Sequence, residues 1–170
     1  MVALVYHPAY DPYGCVLRSV QFLTASDQAL FAEQLRLFDF LLLFPEFIST
    51  FRLSPSTRSR FKRTSFRPRF RYEERPPAKR LFSEMELSFE AALQTLKTKE
   101  IIVSTDINTD IFLLNRKAVP EGLDALVAKR NVIEAELIEF LIHLNSSFSF
   151  FGPDGLKARS GLMEFRYDIV

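Results

Sequence analysis

The sequence predicts a mainly α-helical protein carrying one short β-hairpin. Three observations lead there. Apolar residues recur at helical spacing in four separate segments, a β-branched run and a second apolar run flank a polar turn near residue 106, and 48% of the 170 residues are hydrophobic. That fraction suffices for a real core, and the length fits one domain. The 18 Phe and absent Trp point the same way. Phe has no polar handle, so most of these rings belong in a core or a dry interface.

The opening YHPAYDPYG reads as irregular, and Asp11 before Pro12 has the form of an N-cap with proline in the first turn. The helix that follows runs to about residue 23, with Val16, Val20 and Leu23 on one side. Ser26 or Asp27 can cap a second helix, with Phe31, Leu35, Phe38, Leu41 and Leu42 at helical spacing. Its later half is apolar nearly all round and therefore buried on more than one side. Pro45 ends or kinks it, and Phe47, Ile48 and Phe51 extend the apolar signal for one more turn. Residues 54–79 show no helical or alternating period and read as a long basic, Pro/Phe-rich connection. Ser83 with Glu86 has the S-x-x-E form of a capping box, opening a third helix whose stripe is Met85, Phe89, Ala92, Leu93 and Leu96. IIVSTDINTDIFLLNR follows as a hairpin, its turn around Asp106–Asp110. Pro120 and Glu121 begin a last long helix, with Leu126, Ile133, Leu137, Phe140, Leu141 and Leu144 inward. After a Gly-Pro-Asp-Gly turn, the alternation of Met163, Phe165, Tyr167 and Ile169 predicts an edge strand. Helix, helix, interrupted connection, helix, two strands, helix is the order of a decorated winged-helix domain over residues 1–170. The third helix then occupies the recognition position and residues 101–114 form the wing. A plain helical bundle with a hairpin gives the same string.

Parts for catalysis are few. Cys15 is the one cysteine, so an internal disulfide framework and a thiolate metal cluster are excluded. His7 and His143 lack ligand spacing, and no H-E-x-x-H, C-x-x-C, G-x-x-x-x-G-K or G-x-G-x-x-G occurs. Cys15 reads as a small buried hydrophobe and His143 as a core or boundary residue. Asp106 and Asp110 look like half a cation site, but no closing Glu follows in a Gly-containing loop, so they read as solvated turn carboxylates. We expect no catalytic activity, cofactor, metal or small-molecule substrate. MVALVYHPAYDP lacks the basic start of a secretory signal, and LFDFLLLF falls short of the ~20 apolar residues that span a bilayer. A soluble, cytoplasmic protein is expected.

Charge is segregated. RSRFKRTSFRPRFRYEERPPAKR (58–80) holds ten Lys/Arg against two Glu, while the whole chain has a formal net charge of +1, leaving −7 on the other 147 residues. Arg58, Arg60, Lys62, Arg63, Arg67, Arg69 and Arg71 are interleaved with Phe61, Phe66, Phe70 and Tyr72. Three readings stay open: phosphate neutralisation with rings stacked on bases, docking onto an acidic protein surface with Phe as anchor, or a solvated loop tacked down by its rings. Non-specific DNA contact belongs to the first.

Three segments carry a resemblance: YHPAYDPYGCVLRSVQFL (6–23), FDFLLLFPEFI (38–48) and RLFSEMELSFEAALQTLKTKEII (80–102). Their shared elements are a Y-H-P-x-Y-D-P-Y start (Tyr6, His7, Pro8, Tyr10, Asp11, Pro12), a D-F-x-x-x-F-P helix end, and R-x-F before a helix carrying A-A-L. The chain thereby resembles the small middle-component family of bacterial ABC-three-component systems, which includes the small subunit of Lamassu-type anti-phage systems. The resemblance implies a non-enzymatic winged-helix-like subunit that associates with an SMC/Rad50-like ATPase and an effector, often a nuclease, in defence against phage or plasmids. It identifies no contact residues, and the basic stretch does not align to it. A stand-alone winged-helix DNA-binding regulator is the alternative. Glu84, Glu86 and Glu90, with no Lys or Arg between residues 83 and 96, speak against major-groove reading by the third helix.

Overall fold

Asp11 caps the first helix as its sequence promises: its Oδ1 accepts from the Tyr13 amide at 3.0 Å, and Pro12 takes the first helical position. The computed structural model describes residues 7–66, 68 and 75–164. Helix α1 (Pro12–Ser26) ends at Asp27, which adopts the left-handed region at φ 51°, a conformation Asp tolerates better than most residues. Asp11→Ala should cost about 1 kcal/mol in urea unfolding, the usual loss of such a cap. An unchanged midpoint would show that the amide finds another acceptor.

The second apolar segment divides. Leu30–Phe31 is a short strand, β1, and helix α2 starts only at Ala32, running to Leu43. Phe31 was expected inside this helix. Its extended backbone (φ −64°, ψ 149°) and the Gln34 side chain, which accepts from the Phe31 amide at 3.2 Å, set the start one residue later. Pro45 closes α2, and a 3-10 helix at Pro45–Thr50 buries Phe47 and Ile48.

Residues 54–79 are not wholly irregular. Pro55–Lys62 forms helix α3. Pro at its first position and Ser54 as N-cap, its Oγ accepting from the Thr57 amide at 3.3 Å, are the start signals. Helices α4 (Ala78–Glu84) and α5 (Glu86–Thr98) follow, joined at Met85. The Ser83–Glu86 capping box is not formed. Ser83 lies inside α4, and Met85 keeps a helical backbone (φ −77°, ψ −8°), so no free helix start exists for Ser83 to cap. The stripe Met85, Phe89, Ala92, Leu93 and Leu96 is buried as expected.

The hairpin is strands β2 (Ile102–Ser104) and β3 (Ile111–Leu114), and β1 joins it in an antiparallel sheet of order β1-β3-β2. Leu30 pairs with Phe112, and Ile102 with Leu114.

The last long helix is two: α6 (Glu121–Ile133) and α7 (Ala135–Ser147). Glu134 between them departs from helical geometry (φ −105°, ψ 24°), and its carboxylate accepts from Gln21 Nε2 at 2.7 Å. That break turns the face of the chain. Leu137, Phe140, Leu141 and Leu144 are buried, whereas Leu126 and Ile133, expected inward, are exposed. After the turn, helix α8 (Leu156–Ser160) is held by Lys157, whose Nζ donates to Glu33 Oε2 at 2.9 Å. At Gly155 a Cβ would sit 2.3 Å from the Phe151 carbonyl oxygen, so only glycine fits the turn. Of the expected edge strand, Met163 lies in a bend and residues 165–170 lie outside the described residues.

One cluster of buried apolar side chains runs from Ala9 to Leu162, with α1 packed against α2, α5 and α6. Phe22 stacks on Phe38 with centroids 4.0 Å apart, and Phe40 meets Phe44, Phe47 and Phe82 at 5.4–5.5 Å. Each such ring is worth roughly 1.5–3 kcal/mol relative to an exposed one.

Candidate interaction site

Helix α3 divides its residues by chemistry. Thr57 and Phe61 face inward, Phe61 packing on Phe140 at 5.3 Å, while Arg58, Arg60 and Lys62 face solvent with Arg63 at the C-terminal end. The chain beyond it is pinned to α7 by the Ser65 amide, which donates to Glu136 Oε2 at 2.8 Å. Phe66 is partly buried and stacks on Phe61 at 5.4 Å. Of the basic-aromatic residues singled out, then, Arg58, Arg60, Lys62 and Arg63 form an exposed basic face. Phe61 serves as the anchor beneath it, and Phe66 lies at its edge. Arg67, Arg69, Phe70 and Arg71 lie outside the described residues. Among the described residues, none of these four cations, three on α3 and Arg63 at its C-cap, is in an ion pair. Basic residues at the C-terminal end of a helix also suit its macrodipole.

Between the 3-10 helix, α3 and the chain that follows lies a cavity of about 580 Å³. Phe61, Phe66 and Leu53 supply apolar lining; Arg58, Lys62 and Arg75 supply positive charge. Arg75 lies with its guanidinium carbon 4.1 Å from the centre of the Phe47 ring. Glu46, also in the lining, is only 8% exposed, and among the described residues neither of its buried carboxylate oxygens has a hydrogen-bond partner. Arg75 Nη2 is likewise buried and, among the described residues, unpartnered. Sequence reasoning passed over both residues. A signal existed: Glu46 is a lone acid in the apolar run Phe44–Ile48, just after the Phe-Pro helix end.

The N-terminal motif turns out to build local structure. His7 Nδ1 accepts from the Ala9 amide at 3.2 Å, capping a 3-10 turn at Pro8–Tyr10. The His7 ring lies 5.2 Å from Tyr10 and 6.4 Å from Phe44, tying the start of the chain to the end of α2. Tyr10 donates to Glu84 Oε2 at 2.7 Å, and Arg80 donates to the other oxygen at 2.8 Å. That bond to Glu84 holds the Tyr10 hydroxyl above its ordinary pKa, and Arg80, then Tyr10, draws Glu84 below the usual carboxylate range. Asp11 and Pro12 open α1, and Tyr6 lies outside the described residues.

Cys15 is buried, and burial pushes its thiol well above the ordinary range, so it is not poised as a nucleophile. His143 on α7 packs near Phe140, and burial, then the charge of Arg60, lowers its pKa from 6.5. An NMR titration should place its midpoint below 6.5, and Arg60→Ala should restore only part of the shift, because burial is the larger cause. Folded His143 resists the proton more than the unfolded residue does, so its small contribution to stability is lost as pH falls from 6.5 through the lower folded value. Among the described residues no group of three His, Cys, Asp or Glu could hold a metal ion, and no helix is long and apolar enough to cross a membrane.

The described chain is thus a small, mainly helical protein with an exposed basic face beside a cavity of mixed lining. The family model for middle component 5 of ABC-three-component systems matches residues 4–168, and the chain belongs to that family. It is an accessory subunit of a multi-component assembly and has partner subunits. No curated protein and no solved structure matches the chain.

Proposed function

We propose that this middle component is a non-enzymatic, cytoplasmic adaptor acting as one unit. In this reading it couples an SMC/Rad50-like ATPase to an effector, of nuclease type, in Lamassu-like defence against phage or plasmids. The carrying observation is the exposed basic face of α3, without an ion pair among the described residues, on a chain whose remaining charge is acidic. Segregated charge of this kind steers encounter with an oppositely charged surface. Co-expression with the products of the neighbouring genes, followed by size exclusion and mass identification, tests it: stable co-elution with a large coiled-coil ATPase is expected. Elution alone would sink the adaptor.

The second reading is a stand-alone winged-helix DNA-binding regulator. The pairing of β1 with β3, between α1 and α2 in sequence, suits the winged-helix order. Helix α5 opposes it as a groove reader, since its exposed face opens with Glu86 and Glu90 and has a lysine only at its far end, Lys97; acid there repels phosphate. A steep salt dependence of DNA binding, with no partner protein retained, would favour it.

A further inference from the structure

Helix α6 turns most of its apolar residues to solvent. Only Val127 is fully buried, while Leu126, Val132 and Ile133 are 45%, 78% and 68% exposed. Gly122, Ala125, Ala128 and Lys129 are exposed with them. Residues 122, 125, 126, 129, 132 and 133 recur at i, i+3, i+4 spacing, so they share one face, directed away from Val127. At its C-terminal end the face continues into a groove of about 840 Å³, lined by Val132 and Ile133 together with Leu42, Pro45 and Phe66. Contiguous exposed apolar surface of this kind marks an interaction site.

We propose that this face pairs with its equivalent on a second copy of the chain, the two α6 helices lying antiparallel about a two-fold axis near position 127. Charge decides both the occupant and the orientation. Glu121 opens the helix, and Lys129 stands within the exposed face toward the other end; among the described residues neither is in an ion pair. An end-for-end pair brings Lys129 of each copy opposite Ala125 of the other, one turn from that copy's Glu121. Two Lys129–Glu121 pairs then form by symmetry. A parallel pair would set Lys129 against Lys129 and Glu121 against Glu121, which like charge disfavours. The face therefore carries its own complement, as an isologous interface requires. A lone charged residue in an apolar helix seam also fixes register, and Lys129 has that position here. Gly122 comes opposite Val132 of the other copy. Among the described residues nothing lies within 4 Å of where a Gly122 Cβ would be, so its own fold does not demand glycine, whereas the close approach of a second helix uses it. A helix of 13 residues is about 20 Å long. The pair with its groove thus falls toward the low end of specific interfaces, roughly 1,200 Å², and the dimer is concentration-dependent.

Sedimentation velocity on the full chain, from about 1 to 200 µM, reads this equilibrium. The dimer fraction should rise with concentration. Val132→Ser/Ile133→Ser changes exposed side chains, so Tm should hold, and the dimer should weaken at least ~10-fold. Lys129→Glu and Glu121→Lys should each weaken it roughly 3–10-fold. The exchange Lys129→Glu/Glu121→Lys should return the affinity to within about 3-fold of the native chain. That rescue separates antiparallel pairing from general adhesion of an apolar face. A monomer throughout the range overturns the proposal, and so does a dimer that Val132→Ser/Ile133→Ser leaves intact. A dimer insensitive to the single charge variants, or not rescued by the exchange, overturns the antiparallel arrangement. A monomer whose serine variant no longer retains a subunit that the native chain retains would assign the face to that subunit instead. These variants leave the basic face of α3 in place, so dimer formation and co-elution with an ATPase succeed or fail separately.

Discussion

Arg18→Met should destabilise the protein by about 3–5 kcal/mol, the usual loss when one partner of a buried ion pair is removed. Arg18 on α1 donates from Nε to Asp39 Oδ1 on α2 at 2.7 Å; the two residues are 6% and 2% exposed. Room for the guanidinium depends on the backbone. A Cβ at Gly14 would lie 3.1 Å from Arg18 Nη1. Burial pushes the Asp39 carboxyl above its ordinary value, and the Arg18 charge opposes that push. Removing Arg18 leaves burial unopposed. With the folded pKa above the unfolded one, the unfolded chain gives up its proton first as pH rises. The variant therefore loses stability as pH climbs from the unfolded value of 3.8 toward the folded one, and regains it in acid. The double variant Arg18→Met/Asp39→Leu should recover most of the loss, since no buried charge remains. Urea unfolding at pH 5 and pH 8 measures all of this. A loss below about 1 kcal/mol at both would mean that water reaches the pair, as at exposed ion pairs.

Reversing charge on α3 should release the partner subunit. Arg58→Glu/Arg60→Glu/Lys62→Glu exchanges three positive charges for three negative ones on side chains that face solvent and leaves the buried Thr57 and Phe61 in place. Exposed substitutions of this kind change stability by no more than about 0.5 kcal/mol each. The complex, by contrast, should form at least ~10-fold more slowly at physiological salt, because steering by complementary charge becomes repulsion. Pull-down and stopped-flow association would show both effects. If association is unchanged while DNA affinity collapses, the basic face binds phosphate and the regulator reading gains. Normal association with normal DNA binding would make α3 a solvated face held down by Phe61.

Local signals were the legible ones. The cap of α1 is a side chain and a proline next to one another, and the stripe of α5 is a period along one stretch of sequence. The core role of the phenylalanines follows from a side chain without polar atoms. α3 itself was missed because its eight residues carry only one large apolar anchor, too few for a period, and its helix is stabilised by docking on α7. β1 was missed because two residues have no alternation to read; they are a strand only because β3 lies alongside. At the break, Glu134 accepts from Gln21, 113 residues away and out of reach of any local pattern, and the capping box failed because α4 already supplied the preceding turn.

The site divides in the same way. Family membership and the basic charge block were readable in one dimension, from motif and composition. What only the tertiary structure decided is which basic residues share a face, which ring lies beneath them, and that Glu46 and Arg75, 29 positions apart, line one cavity. Sequence determines propensity and charge locally. Which groups are withdrawn from water together, and so left unsatisfied together, is a property of packing between distant segments.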